Sequence, residues 1–262
     1  MFEENANKIL SGVGGCGIIR CMGSGGVHRM ASSYRAGRRG LAQEDLKIIG
    51  CVTMVIDHLG VLFFPWVELR IIGRIAFPIF CFLIAQGVAH TRDLRRYLDR
   101  LGSCAILSEL PYDLAFYGGI CDDRCNVMVT LFIGAAVLAV LQSDRAEWLK
   151  VVTLLVGALV ARWLGADYGA LGVLMIVLFS FELPGWVNFV LLGSFFFFSG
   201  SATVVVFQWV IPIQMFGLLA LVPIAFYQEE KRWYAPWIKW GFYLFYPVHL
   251  LVLLVVRGTM MA

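Results

Sequence analysis

From Leu46 onward apolar residues dominate the chain, and short polar stretches break the run at intervals. The windows between the breaks are long enough to read as helices. Windowed hydropathy predicts about nine apolar spans, near 46–64, 72–90, 98–117, 126–142, 149–164, 169–182, 186–199, 203–226 and 236–257. Because the sixth and seventh windows are short, eight to ten spans fit the same pattern. The expected fold is all-α, a polytopic transmembrane helical bundle over residues 46–262. Residues 1–45 are Gly-rich and basic, with no apolar run of signal-peptide length, and read as a disordered cytoplasmic arm.

Composition supports a membrane protein. Hydrophobic residues make up 60% of the chain, charged residues only 15%, and the mean hydropathy is +0.80, outside the range of an ordinary soluble domain. A net charge of +3 says less than where the basic residues fall. On the side of the arm, the connections near 91–97, 143–148 and 227–235 are rich in Lys and Arg. The opposite ends carry fewer, chiefly Arg70, Arg74, Arg124, Arg162 and Arg257. The positive-inside rule then puts the N terminus in the cytoplasm and the C terminus outside. Seven cysteines are scattered, and no set of four ligands clusters, so no metal is expected. Cys121 and Cys125 flank an outer loop, where a disulfide is open to them in an oxidising compartment.

That orientation gathers the polar residues. Asp57 and His58 lie near the middle of the first span, where a charge costs about 2.5–3.5 kcal/mol on insertion scales, so an adjacent pair marks a functional site by default. Their side chains diverge by about 100° on a helix, so their partners must come from elsewhere. His249, in YLFYPVHLL, falls at the depth of His58, both displaced outward by roughly 4 Å at the helical rise. Arg74, Asp113, Asn126, Asp167 and Tyr168 all fall in the outer half of the bundle, while Glu109 lies near mid-span and Gln86 in the inner half. Pro111 is expected to kink the third span after Glu109 and open a passage from the cytoplasmic side. Each residue also has a plainer role: an interhelical hydrogen bond for the histidines, a snorkelling anchor for Arg74, a solvated turn for Asp167 and Tyr168.

Several stretches in order resemble the TraX family: LKIIGCVTMVIDHLG near 46–60, RIIGRIAFPIFCFLIAQGVAHTRDLRRYLDRL near 70–101, ELPYDLAF near 109–116, NVMVTLFIGA near 126–135, DYGALGVLMI near 167–176 and GFYLFYPVHLL near 241–251. Gln86 stands where the family leads one to expect a Glu, and the basic arm is not part of the pattern. The resemblance implies a multi-pass protein of the bacterial inner membrane that carries acetyl groups from cytoplasmic acetyl-CoA to an acceptor on the far side. The acceptor is an amine or hydroxyl, on a peptide N terminus, a sugar or a small amine. On this reading His58, His249, Asp57 and Arg74 carry catalysis, a histidine serving either as base for direct transfer or as acyl carrier in an acetyl-histidine intermediate. Asp113, Asn126, Asp167, Tyr168 and Glu109 line the acceptor's path, and Gln86 borders the donor's. The donor's pantetheine arm is expected to thread past Gln86 and Glu109. Partners beyond these are membrane lipid; no nucleic acid is expected, and oligomeric state is not encoded. Two other classes stay open: a proton-coupled transporter using the same acids and histidines as a relay, and a non-catalytic pilus or secretion assembly factor.

Overall fold

The computed structural model describes residues 40–121, 123–181, 183–199, 202–206, 208–229 and 236–261. The expected arm lies outside them as far as residue 39. Residues 40–42 are already tied into the fold. The Leu41 N–H donates to the Phe226 carbonyl, and the Gln228 N–H donates to the Leu41 carbonyl, both at 2.8 Å. Helix α1 (Gln43–Leu62) then starts on a local signal, the Asp45 carboxylate accepting the Ala42 N–H at 2.9 Å, which occupies one of the donors a helix start leaves open.

Helices α2 (Val67–Gly73) and α3 (Ala76–His90) follow almost end to end. Helix α4 (Leu94–Phe116) is capped by Asp93, which accepts the Arg96 N–H at 3.0 Å. Helix α5 (Val127–Leu141) is capped by Asn126, whose Oδ1 accepts the Met128 N–H at 2.9 Å. Then come α6 (Glu147–Trp163), α7 (Gly169–Leu178) and α8 (Gly185–Phe197).

The eighth expected span departs from the sequence reading. Residues 203–226 do not form one helix: strands β1 (Thr203–Val206) and β2 (Trp209–Pro212) pair antiparallel, and a 3₁₀ segment (Ile213–Ala220) leads into the short α9 (Leu221–Ala225). The run TVVV is β-branched at every position and so resists helix, Gln208 takes left-handed backbone (φ 75°) in the turn, and Pro212 ends the second strand. Hydropathy, blind to branching, cannot separate such a hairpin from a helix. The chain closes with α10 (Pro236–Met261). The fold is thus mostly helical.

Helix α3 is the hub, packing on α1, α5, α7 and the 3₁₀ segment, with Ile79 and Cys81 fully buried. Close approach is secured by glycines at the crossings. A Cβ on Gly172 would meet the Phe77 ring at 2.9 Å, and one on Gly60 would meet Leu69 at 2.9 Å. Helix α4 packs on α5 and on α10. Among the described residues, Val67–His90 and Trp240–Met260 are long and apolar enough to cross a membrane. Helix α6 exposes Trp148, Val151, Leu155, Leu159 and Trp163 on its outer side.

Candidate functional site

The adjacency of Asp57 and His58 on α1 sends their side chains to different neighbours, as 100° per residue requires. Asp57 meets the guanidiniums of α2 and the α2–α3 junction. Arg70 Nη1 donates to its Oδ2 at 3.0 Å, and Arg74 Nη2 donates to its Oδ1. Arg74 spends its other nitrogens as well: Nη1 donates to the Tyr168 hydroxyl at 3.2 Å and Nε to the Arg70 carbonyl at 3.3 Å. Arg74 is 7% exposed, so this is a buried ion pair in which each guanidinium nitrogen donates one hydrogen bond rather than a snorkelling anchor. Tyr168 lies flat on Phe77, ring centroids 3.6 Å apart, and burial pushes its phenol up, so it meets Arg74 as a neutral hydroxyl. A Cβ on Gly73 would overlap the Asp57 side chain, so the carboxylate can lie against α2 only because residue 73 has no side chain.

His58 turns instead toward α10. Its Nδ1 lies 2.9 Å from Nε2 of His249, the ring planes 11° from parallel. The other nitrogen of His249, Nδ1, is 2.9 Å from the Phe245 carbonyl. A carbonyl only accepts, so this Nδ1 carries a proton, and in a neutral ring Nε2 is then a lone-pair acceptor. His58 Nδ1 must supply the proton between the rings. The tautomer assigned in this way leaves His58 Nε2 with its lone pair, in a ring edge-on to Phe116. Arg70 and Arg74 lie within electrostatic reach of His58.

The remaining expected residues fall into two groups. Asp167 stays close, in the α6–α7 turn, within electrostatic reach of both Arg70 and Arg74. That turn is fixed by the Cys125 carbonyl, which accepts the Asp167 N–H at 3.0 Å, and by Thr130, whose hydroxyl donates to the Asp167 carbonyl. Asn126, Glu109 and Asp113 stand in another cluster. Asn126 is fully buried; its Nδ2 donates to the Ala105 carbonyl at 2.9 Å and to Glu109 Oε2, which also accepts the Asn126 N–H at 3.2 Å. Asp113 Oδ2 accepts the Cys121 N–H at 3.1 Å, while its buried Oδ1 has no hydrogen-bond partner among the described residues. These contacts fasten α4 to the start of α5. Cys121 and Cys125 are free thiols.

Gln86 is buried in α3, its Oε1 without a hydrogen-bond partner among the described residues. Neither it nor Glu109 lines either of two clefts that run along the first half of α10. One, of about 370 Å³, lies between α4 and α10, with Arg96, Arg100, Trp240 and Tyr243 among its walls and Pro247 at its inner end. The other, of about 520 Å³, is apolar and lies between α1 and α10, lined by Ile48, Cys51, Val52, Val55, Phe242 and Phe245. One turn further along the same helix faces, the stripes Cys51, Val55 and Phe242, Phe245 arrive at His58 and His249. Sequence reasoning missed Arg70, Gly73 and Phe245 as members of the site. Arg70 was legible in principle, since Arg70 and Arg74 are one turn apart on a helix facing α1.

A mostly helical bundle that buries an acid–guanidinium cluster beside a hydrogen-bonded histidine pair defines a class: a helical protein whose polar site is built inside apolar helices. The family model described as TraX protein matches residues 42–257, and the chain belongs to that family. It is 26% identical over 232 residues to a probable fimbrial assembly protein FimC, serogroup H1, of Dichelobacter nodosus, covering 80% of this chain and 93% of that protein. It is 28% identical over 141 residues to protein TraX of Escherichia coli, covering 51% of this chain and 53% of that protein. A third relative, the uncharacterized protein RP591 of Rickettsia prowazekii (strain Madrid E), is 49% identical over 41 residues, 15% of this chain and 16% of that protein. No solved structure matches the chain significantly.

Proposed function

We propose that the chain is a multi-pass acetyltransferase of the bacterial inner membrane, taking the acetyl group from cytoplasmic acetyl-CoA and delivering it to an amine or hydroxyl presented from the far side. The observation that carries this reading is the tautomer chain Phe245 carbonyl, His249, His58, which leaves one imidazole lone pair held in place inside an apolar bundle. A membrane setting is supported by the two long apolar helices and by the exposed apolar face of α6.

In the reaction, the acceptor's nitrogen or oxygen bonds to the thioester carbonyl carbon as His58 Nε2 takes its proton. The carbon–sulfur bond then breaks, the thiolate of coenzyme A leaves with the electron pair, and the proton passes from Nε2 to that sulfur. His249 holds the His58 ring and shares the charge that forms on it. Arg70 and Arg74 offset the negative charge that gathers on the carbonyl oxygen, and Asp57 fixes both guanidiniums. The word fimbrial in the name of the Dichelobacter relative favours a pilus subunit, through its N-terminal amine, as the acceptor.

A second reading, a non-catalytic assembly factor, draws on the words "fimbrial assembly" in the name of the Dichelobacter relative. Purified protein with labelled acetyl-CoA and a peptide amine separates the two. Label transfer is expected to fall about 10²-fold or more in His58→Ala and less in His249→Asn, with helicity unchanged in both. Transfer that is equal in wild type and His58→Ala would remove His58 from the mechanism, and absence of transfer in wild type would favour the assembly factor.

A further inference from the structure

The cleft between α4 and α10 lies on the far side of both helices from the histidine pair. Pro247, which lines it, and His249 are two residues apart, about 200° around α10. It therefore serves no reacting atom. What it offers is a groove open to the surroundings of the bundle. Cys104 and Pro247 lie buried along its floor, while Leu107 and Leu244, 62% and 51% exposed, stand at its rims. Pro247 lacks the N–H that would bond the Tyr243 carbonyl, and Cys104 supplies a partner instead, its Sγ 3.2 Å from the oxygen. The proline thus leaves no orphan carbonyl under an apolar stretch.

Polarity changes along the groove. The α4 wall is one helical stripe, with Arg96 and Arg100 at one end and Leu107 at the other, a rise of roughly 16 Å. Asp99 shares the basic end, and Arg96 gives its Nε to Asp93 at 3.0 Å, an exposed pair of small worth. Over residues 91–100 four arginines stand against two aspartates, so the end stays positive. Arg100 is held in place there. Its guanidinium lies over the Tyr243 ring at 5.6 Å and near the Tyr97 ring at 6.0 Å, while its buried Nε has no hydrogen-bond partner among the described residues. Trp240 stands exposed on the facing wall at the same end. Lys and Arg in the connections mark this end as cytoplasmic, and an exposed Trp beside a Tyr is what a membrane–water boundary favours.

We infer that this groove binds an anionic phospholipid of the cytoplasmic leaflet: Arg100, with Arg96 outside it, takes the lipid phosphate, Trp240 lies at headgroup level, and one acyl chain runs over Cys104 and Pro247 between Leu107 and Leu244. A fixed guanidinium suits a phosphate, and a basic pocket between helices on the cytoplasmic side suits an anionic headgroup. The apolar floor and rims suit a hydrocarbon chain. Bound in this way, the lipid joins the cytoplasmic ends of the two helices that carry Phe116 and His249. The inference rests on the membrane setting of the reading above and is independent of acetyl transfer.

The test uses the full chain in detergent. Dioleoyl phosphatidylglycerol or dioleoyl phosphatidylcholine is added, and retained lipid is read by native mass spectrometry alongside the thermal midpoint. The chains are identical, so any difference reports the headgroup. Phosphatidylglycerol is expected to bind about fivefold or more tighter, and Arg100→Gln to remove about that factor, with Arg100→Lys recovering part. Ser103→Trp, at an exposed wall position, is expected to fill the groove and displace the lipid. Val52→Trp, in the other cleft, should leave it bound. Equal binding of the two lipids to wild type would overturn the inference, as would undiminished phosphatidylglycerol binding in both Arg100→Gln and Ser103→Trp. Displacement by glycerol 3-phosphate, which has the phosphate but no chain, would make this a site for soluble phosphate and overturn it too. A chain recovered from membranes without preference for phosphatidylglycerol sinks the lipid site alone; one recovered from the soluble fraction sinks the membrane setting with it.

Discussion

At the scale of single residues, Asp57 is the group with most at stake. It sits between Arg70 and Arg74, and removing one partner leaves charge buried with less to balance it. Arg74→Ala is expected to destabilise the protein by about 3 kcal/mol, and the double variant with Asp57→Asn by clearly less than the two single losses added. Thermal unfolding in detergent reads this, and strict additivity would mean that the pair is not coupled. A pH effect is expected in the connection before α5. Burial, with the Glu109 carboxylate beside it, pushes the Cys125 thiol up to about 11. The group is raised, so it keeps its proton through neutral pH and loses it only as pH climbs toward that value. In a Cys121→Ser background, maleimide labelling of Cys125 should be slow at pH 7.5 and accelerate up to about pH 11; Glu109→Gln should move that rise downward. Fast labelling that levels off below pH 9 would contradict it.

At the scale of elements, the site depends on how near α1 and α2 come. Gly73 sets that distance, since an added Cβ would occupy the space of the Asp57 carboxylate. Gly73→Ala is expected to destabilise by about 1–3 kcal/mol and to reduce transfer, because Asp57 must shift away from Arg74. Gly185→Ala, at a position where an added Cβ meets nothing within 4 Å, serves as control and should stay within about 0.5 kcal/mol of wild type. Equal stability of the two variants would show that α1 and α2 can separate freely. The elements were unequally legible. Helices with long apolar runs announced themselves, although the helix Leu94–Phe116 begins inside the expected connection 91–97, where its first turn is polar. The 203–226 region did not, because hydrophobicity there is uniform and only the β-branched run and the turn at Gln208 mark a hairpin.

At the scale of the whole molecule, the question is what the outer surface faces. Leu155 and Leu159 on α6 are 58% and 65% exposed. If that surface meets lipid, Leu155→Lys should oppose insertion by about 2.5–3.5 kcal/mol and lower the fraction recovered in membranes. If it meets water, the same change should raise the soluble yield, which is the outcome that would sink the membrane reading. The parallel course of α1, α4 and α10 along the two clefts puts the starts of all three helices at one end of the molecule.

The sequence by itself determined the mostly helical character, the membership in a family, and which polar residues stand inside apolar runs, since a side chain's aversion to an apolar setting is a property of the residue. It also determined that Asp57 and His58 must face different partners, because the helical period is fixed by the backbone. Tertiary structure alone decided who those partners are. Arg70 looked like an ordinary basic residue at a helix end until packing turned it onto Asp57, and nothing in the sequence joined Glu109 to Asn126, which packing makes a clamp between helices. Depth along a span can be counted from sequence, but rotation about the helix axis relative to a neighbour cannot. That rotation is what brings His58 Nδ1 to His249 Nε2 and leaves one lone pair for chemistry.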